Sequence, residues 1–175
     1  MTYLLSPKVS VIVATFNQER FIGRCLRSLL HQSLGHKEYE IIVVDDGSTD
    51  RTSYALELFH DAIKIITNKV NLGLPASINT GILAASSPYV VRVDSDDFVN
   101  SNFINFLSFY LESNDHADAV ACDYLILDDQ ENVIERANCM EKPIACGIMF
   151  RKSQLLEIGL YDQDFRSHED RELRI

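Results

Sequence analysis

Val9-Ser10-Val11-Ile12-Val13-Ala14 runs directly into Thr15-Phe16-Asn17-Gln18-Glu19. The first stretch is short, apolar and rich in β-branched residues, which predicts a central strand buried on both faces. Beyond the polar break, apolar residues recur at Phe21, Ile22, Cys25, Leu26, Leu29 and Leu30, with Arg20, Arg24 and Arg27 turned outward. That is the spacing of an amphipathic helix, so the opening segment reads as a strand followed by a helix.

The same rhythm continues outward. Residues 40–44 (EIIVV) predict a second strand, Asp45-Asp46-Gly47-Ser48-Thr49-Asp50 a capped turn, and residues 51–60 a helix. Residues 63–67 predict a third strand and residues 76–85, opened by Pro75, a third helix. Residues 89–93 (YVVRV) predict a fourth strand, which ends in Asp94-Ser95-Asp96-Asp97 before a helix over about 101–113. Strands alternating with helices imply parallel pairing through right-handed crossovers, hence a doubly wound α/β layer. Past Ala117 the pattern changes. Residues 119–127 read as a longer strand, 128–132 as a turn and 133–136 as a return strand, an antiparallel hairpin added to the sheet. Residues 146–150 predict another strand, and residues 154–158 a short helix ended by Gly159.

A chain of 175 residues with 46% hydrophobic content can bury one substantial core, so a single domain over residues 1–175 is expected. The net charge of -10, from 16 basic and 26 acidic residues, leaves no cationic stripe to displace counterions and excludes a primary role on bare nucleic acid. A phosphate ligand remains compatible where a divalent cation mediates the contact. Cys25, Cys122, Cys139 and Cys146 form no CxxC pair, and Cys25, Cys122 and Cys146 sit beside apolar residues as small core residues would. All four are read as free thiols in a reducing cytoplasm. No apolar run approaches the ~18 residues of a membrane span, and nothing resembles a secretory leader. A cytoplasmic location follows, compatible with peripheral association at the inner face of the membrane.

In an open parallel sheet ligands bind beyond the carboxyl ends of the strands, near the point where strand order reverses. The predicted strand ends are Thr15-Phe16-Asn17-Gln18-Glu19, Asp45-Asp46-Gly47-Ser48 and Asp94-Ser95-Asp96-Asp97, all on one edge. Acids as close as Asp94, Asp96 and Asp97 repel by about 1 kcal/mol per pair at ~4 Å in water, and by more where the dielectric is lower. A hard cation removes that penalty, and oxygen-only ligation with room for phosphate and water suits Mg²⁺ or Mn²⁺. Asp45 and Asp46 fit a helix cap with a glycine turn, and a carboxylate there could also accept from a nucleobase imide. Asn17 and Glu19 fit caps of the first helix. Asn71-Leu72-Gly73-Leu74-Pro75 is by itself an ordinary turn.

Four segments in order carry a resemblance. VSVIVATFNQERFIGRCLRSLLHQ, EIIVVDDGSTDRT, NLGLPASINTGILAASSPYVVRVDSDD and GIMFRKSQLLEIGLYDQDFRSHEDREL together resemble family 2 glycosyltransferases of the GT-A fold, inverting enzymes that build bacterial polysaccharides and other glycans. The resemblance implies a nucleotide-sugar donor, UDP-linked by default, and a glycan or lipid-linked acceptor. It makes Ala14, Thr15, Phe16, Asn17 and Glu19 the loop around the nucleotide and Asp46, or its neighbour Asp45, the base-recognising acid. Asn71, Gly73, Asn79, Asp94 and Ser95 complete the nucleotide-sugar site. Asp94 and Asp96 take the metal-binding DxD role, with Asp96 the direct ligand, and Asp170 of the Glu169-Asp170 pair is implied as catalytic base. His168 is read as a helix cap. Residues 1–97 would form the donor half and residues 98–175 the acceptor half, C-terminally truncated because related proteins continue past the acid pair. Ala14 stands where members often have proline, and Ile78 where they often have a basic residue.

Two other enzyme and signalling classes fit less well. A receiver domain needs an acid pair after its first strand, where this chain has Thr15-Phe16-Asn17, and a sugar nucleotidyltransferase needs a glycine-rich loop there, yet no glycine precedes Phe21. The remaining rival is a nucleotide-sugar-binding module without turnover.

Overall fold

The computed structural model describes residues 6–163. Its core is a sheet of six strands in the order β3-β2-β1-β4-β8-β5. These are β1 (Val9–Thr15), β2 (Tyr39–Asp45), β3 (Lys64–Thr67), β4 (Tyr89–Arg92), β5 (Ala119–Val120) and β8 (Met149–Arg151), with β6 (Tyr124–Leu127) and β7 (Val133–Ala137) outside it. Strands β1 to β4 are mutually parallel, with Thr15 beside Asp45 and Ile12 beside Arg92 in the register. Strand order reverses between β1 and β4.

Alternation along β1 explains why the sheet is covered twice. Val9, Val11 and Val13 face a cluster with Ile22, Cys25, Leu26 and Leu29 of α1 (Ile22–Leu30), Leu56 of α2 (Thr52–Glu57), and Ile104, Leu107 and Leu111 of α4 (Phe103–Ser113). Ile12 and Ala14 face the other layer, where Ile78 and Ile82 of α3 (Leu74–Ala84) and Leu155 of α5 (Lys152–Ile158) pack. Side chains two apart on a strand share a face, so one largely apolar run fills both layers. Helix α3 lies close on the sheet because Gly81 has no side chain: a Cβ there would sit 2.4 Å from Ile12 Cγ2. Ile78 is fully part of this core, and Gly159, at φ 101°, ends α5 in the left-handed conformation.

Three expectations are corrected. Helix α2 closes at Glu57, after which Phe59 N–H donates to Leu56 O and His60 N–H to Glu57 O, so the chain goes on as tight turns instead of a helix to residue 60. The long strand over 119–127 is broken. Ala119 and Val120 pair antiparallel with β8, but Asp123 then accepts from Cys139 N–H and pairs with Arg136, which draws the chain away. Strands β6 and β7 consequently form their own two-stranded sheet and do not extend the main one. Cys25 is buried, Cys139 and Cys146 are half-buried, and Cys122 is exposed, so it is not the core residue its neighbours suggested; all four are free thiols. Among the described residues no helix is long and apolar enough to cross a membrane.

Candidate functional site

A cavity of about 330 Å³ opens at the carboxyl ends of β1, β2 and β4, where the strand order reverses. This is within the size range of small-ligand sites, roughly 300–1,000 Å³. Ala14, Thr15, Phe16 and Gln18 line it from the β1 end, Asp46 from β2, and Arg92, Asp94, Ser95 and Asp96 from β4. Asn71, Gly73, Leu74 and Ser77 supply the wall formed by the first turn of α3 and the loop before it.

The two acids after β2 do different local work. Asp46 is buried, and its carboxylate accepts from Asn68 Nδ2 at 2.7 Å, Leu72 N–H at 2.9 Å and Gly73 N–H at 2.9 Å. It therefore shapes the loop that forms the cavity wall and meets the cavity at once. Asp45, also buried, accepts from Ser48 N–H at 3.0 Å and closes the turn below. That turn needs Gly47, whose φ is +76° and whose missing Cβ would meet the Val70 backbone carbon at 2.9 Å.

Asn17 and Glu19 lie outside the cavity lining and brace the first two loops against each other. Asn17, at φ 53°, accepts from Thr49 and Asp50 N–H through Oδ1, while its own N–H donates to Ser48 Oγ. Glu19 Oε2 accepts from Arg51 N–H at 2.8 Å, and Gln18 N–H donates to Thr52 Oγ1 at 2.8 Å. These groups tie down the start of α2, not the start of α1. Asn79 is likewise away from the cavity: it is buried and exchanges two hydrogen bonds with the Tyr161 backbone, at 2.7 and 3.0 Å, fastening the segment after α5 to α3.

The acidic loop is held from both sides. Arg92, only 7% exposed, grips Asp94 with Nε to Oδ1 at 2.7 Å and Nη2 to Oδ2 at 3.2 Å. Burial works against the guanidinium charge, but Asp94 overcomes it and the Arg92 pKa is raised. From the other side Arg24 donates to the Asp96 carbonyl at 2.7 Å and lies over the Phe98 ring, while its other end pairs with Glu131 at the hairpin tip. Asp96 is exposed on the cavity rim, and among the described residues its carboxylate has no hydrogen-bond or ion-pair partner.

Donor atoms of Asp94, Asp97 and Cys146 come within 4.8 Å of one another, a grouping that differs from the expected Asp94 and Asp96 pair. Cys146 Sγ donates to Asp97 Oδ2 at 3.1 Å. Burial, with Asp94 and Asp97 adding to it, pushes the Cys146 thiol well up, and its soft sulfur suits a hard Mg²⁺ or Mn²⁺ ion less well than the carboxylates do. Burial also raises Asp97, and its neighbours Asp94 and Asp96 reinforce this, although the carboxyl still meets solvent. The oxygens of Asp94, Asp96 and Asp97 remain on one loop at the cavity edge, which fits a hard divalent cation of the Mg²⁺ or Mn²⁺ type. Arg92, Gln18, Leu74 and Ser77 were not among the residues expected from the sequence. Arg92 had left one signal, a charge inside the apolar strand YVVRV. Asp170, with Glu169 and His168, lies outside the described residues.

The sequence matches the family described as Glycosyl transferase family 2 over residues 10–164. An uncharacterized glycosyltransferase of Haemophilus influenzae is 40% identical over 128 residues, 71% of this chain and 39% of the relative. The poly(ribitol-phosphate) beta-N-acetylglucosaminyltransferase TarS of Staphylococcus aureus is 34% identical over 116 residues, 65% of this chain and 20% of that protein. The chain thus spans less than half the length of the curated relatives it matches. Among solved structures, Staphylococcus aureus TarS 1-349 in complex with UDP superposes with a TM-score of 0.80 at 24% identity, covering 93% of this chain and 52% of that one. The mannosyltransferase PcManGT from Pyrobaculum calidifontis, in complex with GDP-Man and Mn²⁺, gives a TM-score of 0.74 at 22% identity over 91% of this chain and 48% of that one. At these identities the two structures bear on the fold, which is the GT-A arrangement of a mostly parallel sheet between helices.

Proposed function

The chain belongs to glycosyl transferase family 2, and on that premise we propose that it takes part in moving a sugar from a nucleoside-diphosphate sugar, a UDP-sugar by preference, to an acceptor hydroxyl with inversion. The observation that carries this reading is the cavity at the strand-order reversal, walled by three strand ends and rimmed by the acidic loop. In it, Asp46 faces the base while holding the 68–73 loop, and Thr15, Phe16 and Gln18 flank the nucleoside. Asp94 and Asp96 are the residues that would hold a Mn²⁺ or Mg²⁺ ion, which would supply Lewis-acid neutralisation of charge on the diphosphate, worth several kcal/mol. The acceptor oxygen forms the new bond to the anomeric carbon as the bond to the diphosphate breaks. Its proton passes to a carboxylate, for which Asp170 is the proposed base, worth about 10²- to 10⁴-fold.

Residues 1–97 make up the donor half in this reading and residues 98–175 the acceptor side. A second reading, donor binding without turnover, draws on the fact that every described residue lining the cavity falls between Ala14 and Asp96. Calorimetric titration with UDP, dTDP and GDP, with and without Mn²⁺, tests the donor site. A nucleoside diphosphate is expected to bind wild type in a Mn²⁺-dependent way and Asp96→Ala about 10-fold or more weakly, and absence of binding by all three sinks the proposal. Donor hydrolysis or transfer that Asp170→Asn abolishes, with binding intact, separates the enzyme from the binding module.

A further inference from the structure

Strand β4 carries one charged residue, Arg92, and its partner Asp94 follows two positions later, on the same face of the chain. A guanidinium this buried needs a compensating negative charge beside it, because desolvating an isolated charge costs several kcal/mol. The contact is a fork: both Asp94 oxygens are taken, by Nε and Nη2, in a planar geometry that a lysine ammonium does not reproduce. Both residues line the cavity, next to Ser95 and Asp96 and across from Asp46. Without a cation in that wall, Asp46, Asp94 and Asp96 would confront a diphosphate with three like charges.

We propose that Arg92 is a positioning residue of the donor site: its guanidinium fixes the Asp94 carboxylate in one orientation and offsets the charge of the acidic loop so that a diphosphate can approach. The inference rests on the donor-site reading above. It predicts effects of opposite sign on two ligands. Removing the cation leaves the acids more negative, which strengthens attraction for a bare divalent ion. The same change releases Asp94 and repels the nucleoside diphosphate. An ion pair that merely supported the fold would, when lost, weaken both.

The test measures Mn²⁺ alone, by electron paramagnetic resonance, and UDP with Mn²⁺, by calorimetry, on the 175-residue chain. If wild type takes GDP or dTDP in place of UDP, that diphosphate is the probe. Arg92→Met is expected to bind Mn²⁺ more tightly and the diphosphate about 10- to 100-fold more weakly. Arg92→Lys keeps the charge without the fork, so its Mn²⁺ affinity stays near wild type while diphosphate affinity falls by a smaller factor. Diphosphate binding unchanged in both variants overturns the proposal, as does a parallel loss of both ligands. Should Arg92→Met fail to fold, Arg92→Lys decides alone, since a diphosphate loss at constant Mn²⁺ affinity supports the role and any other pattern refutes it. A wild type that binds no nucleoside diphosphate instead removes the donor-site reading itself, and this inference with it.

Discussion

From β1 to β4 the strands are parallel, and β1 and β2 are buried on both faces; from β5 onward they are short, antiparallel, and in the hairpin largely open to water. Val11, Ile12 and Val13 are essentially inaccessible, whereas Val133 and Ile134 of β7 are 60% and 65% exposed. The described cavity lining comes wholly from the first region. A rigid, doubly covered sheet thus presents its polar loops at fixed positions, while the second region carries exposed apolar surface in its hairpin and, among the described residues, contributes no side chain to the lining. Precision at the cavity edge rests on burial behind it.

The contrast can be broken most directly in the core. Ile12→Ala removes packing on the α3 face of β1 and is expected to cost about 2–5 kcal/mol in a urea melt; a loss below 1 kcal/mol would mean that the sheet is not the rigid element. Asp97 lies at the seam between the regions, held by Cys146, and its raised pKa gives a signed prediction. Because the folded state favours the protonated form, ionisation at neutral pH opposes folding. In metal-free buffer Asp97→Asn should therefore raise Tm slightly at pH 7. The gain should fade as pH falls through the folded-state pKa toward the ordinary aspartate range, where both proteins carry a neutral side chain. A gain that grew on acidification would contradict the assignment. In the hairpin, Ile134→Ala should change stability by no more than about 0.5 kcal/mol, and a larger loss would show that this strand is packed more firmly than its exposure indicates.

How far each region could be read beforehand follows the same physics. In β1 and β2 one apolar run serves two faces, so strand type, central position and the edge carrying Thr15, Asp46 and Asp94 were all evident from local pattern. The β5–β6 break was not, because Ala119 to Leu127 is apolar enough for one strand and only the Asp123 contacts to Arg136 and Cys139 redirect it. Within the site, short-range identity was informative and long-range partnership was hidden. Asn17 and Glu19 stand out in the sequence, but they buttress Thr49, Asp50 and Arg51, more than thirty positions away. Asn79 stands out as well and is taken up by Tyr161. The role of Arg92 is not legible in the sequence because it depends on burial, which a single charged letter in a strand does not disclose.

The missing side chain at Gly81 sets a mechanical tolerance for the cavity. Helix α3 meets Ile12 at its eighth residue, Gly81, and walls the pocket with Gly73, Leu74 and Ser77 at its N-terminal end, so its closeness to the sheet at one end bears on the wall at the other. A single added methyl there would stand 2.4 Å from Ile12 Cγ2 and force the helix and the sheet to shift against each other, although position 81 does not line the cavity.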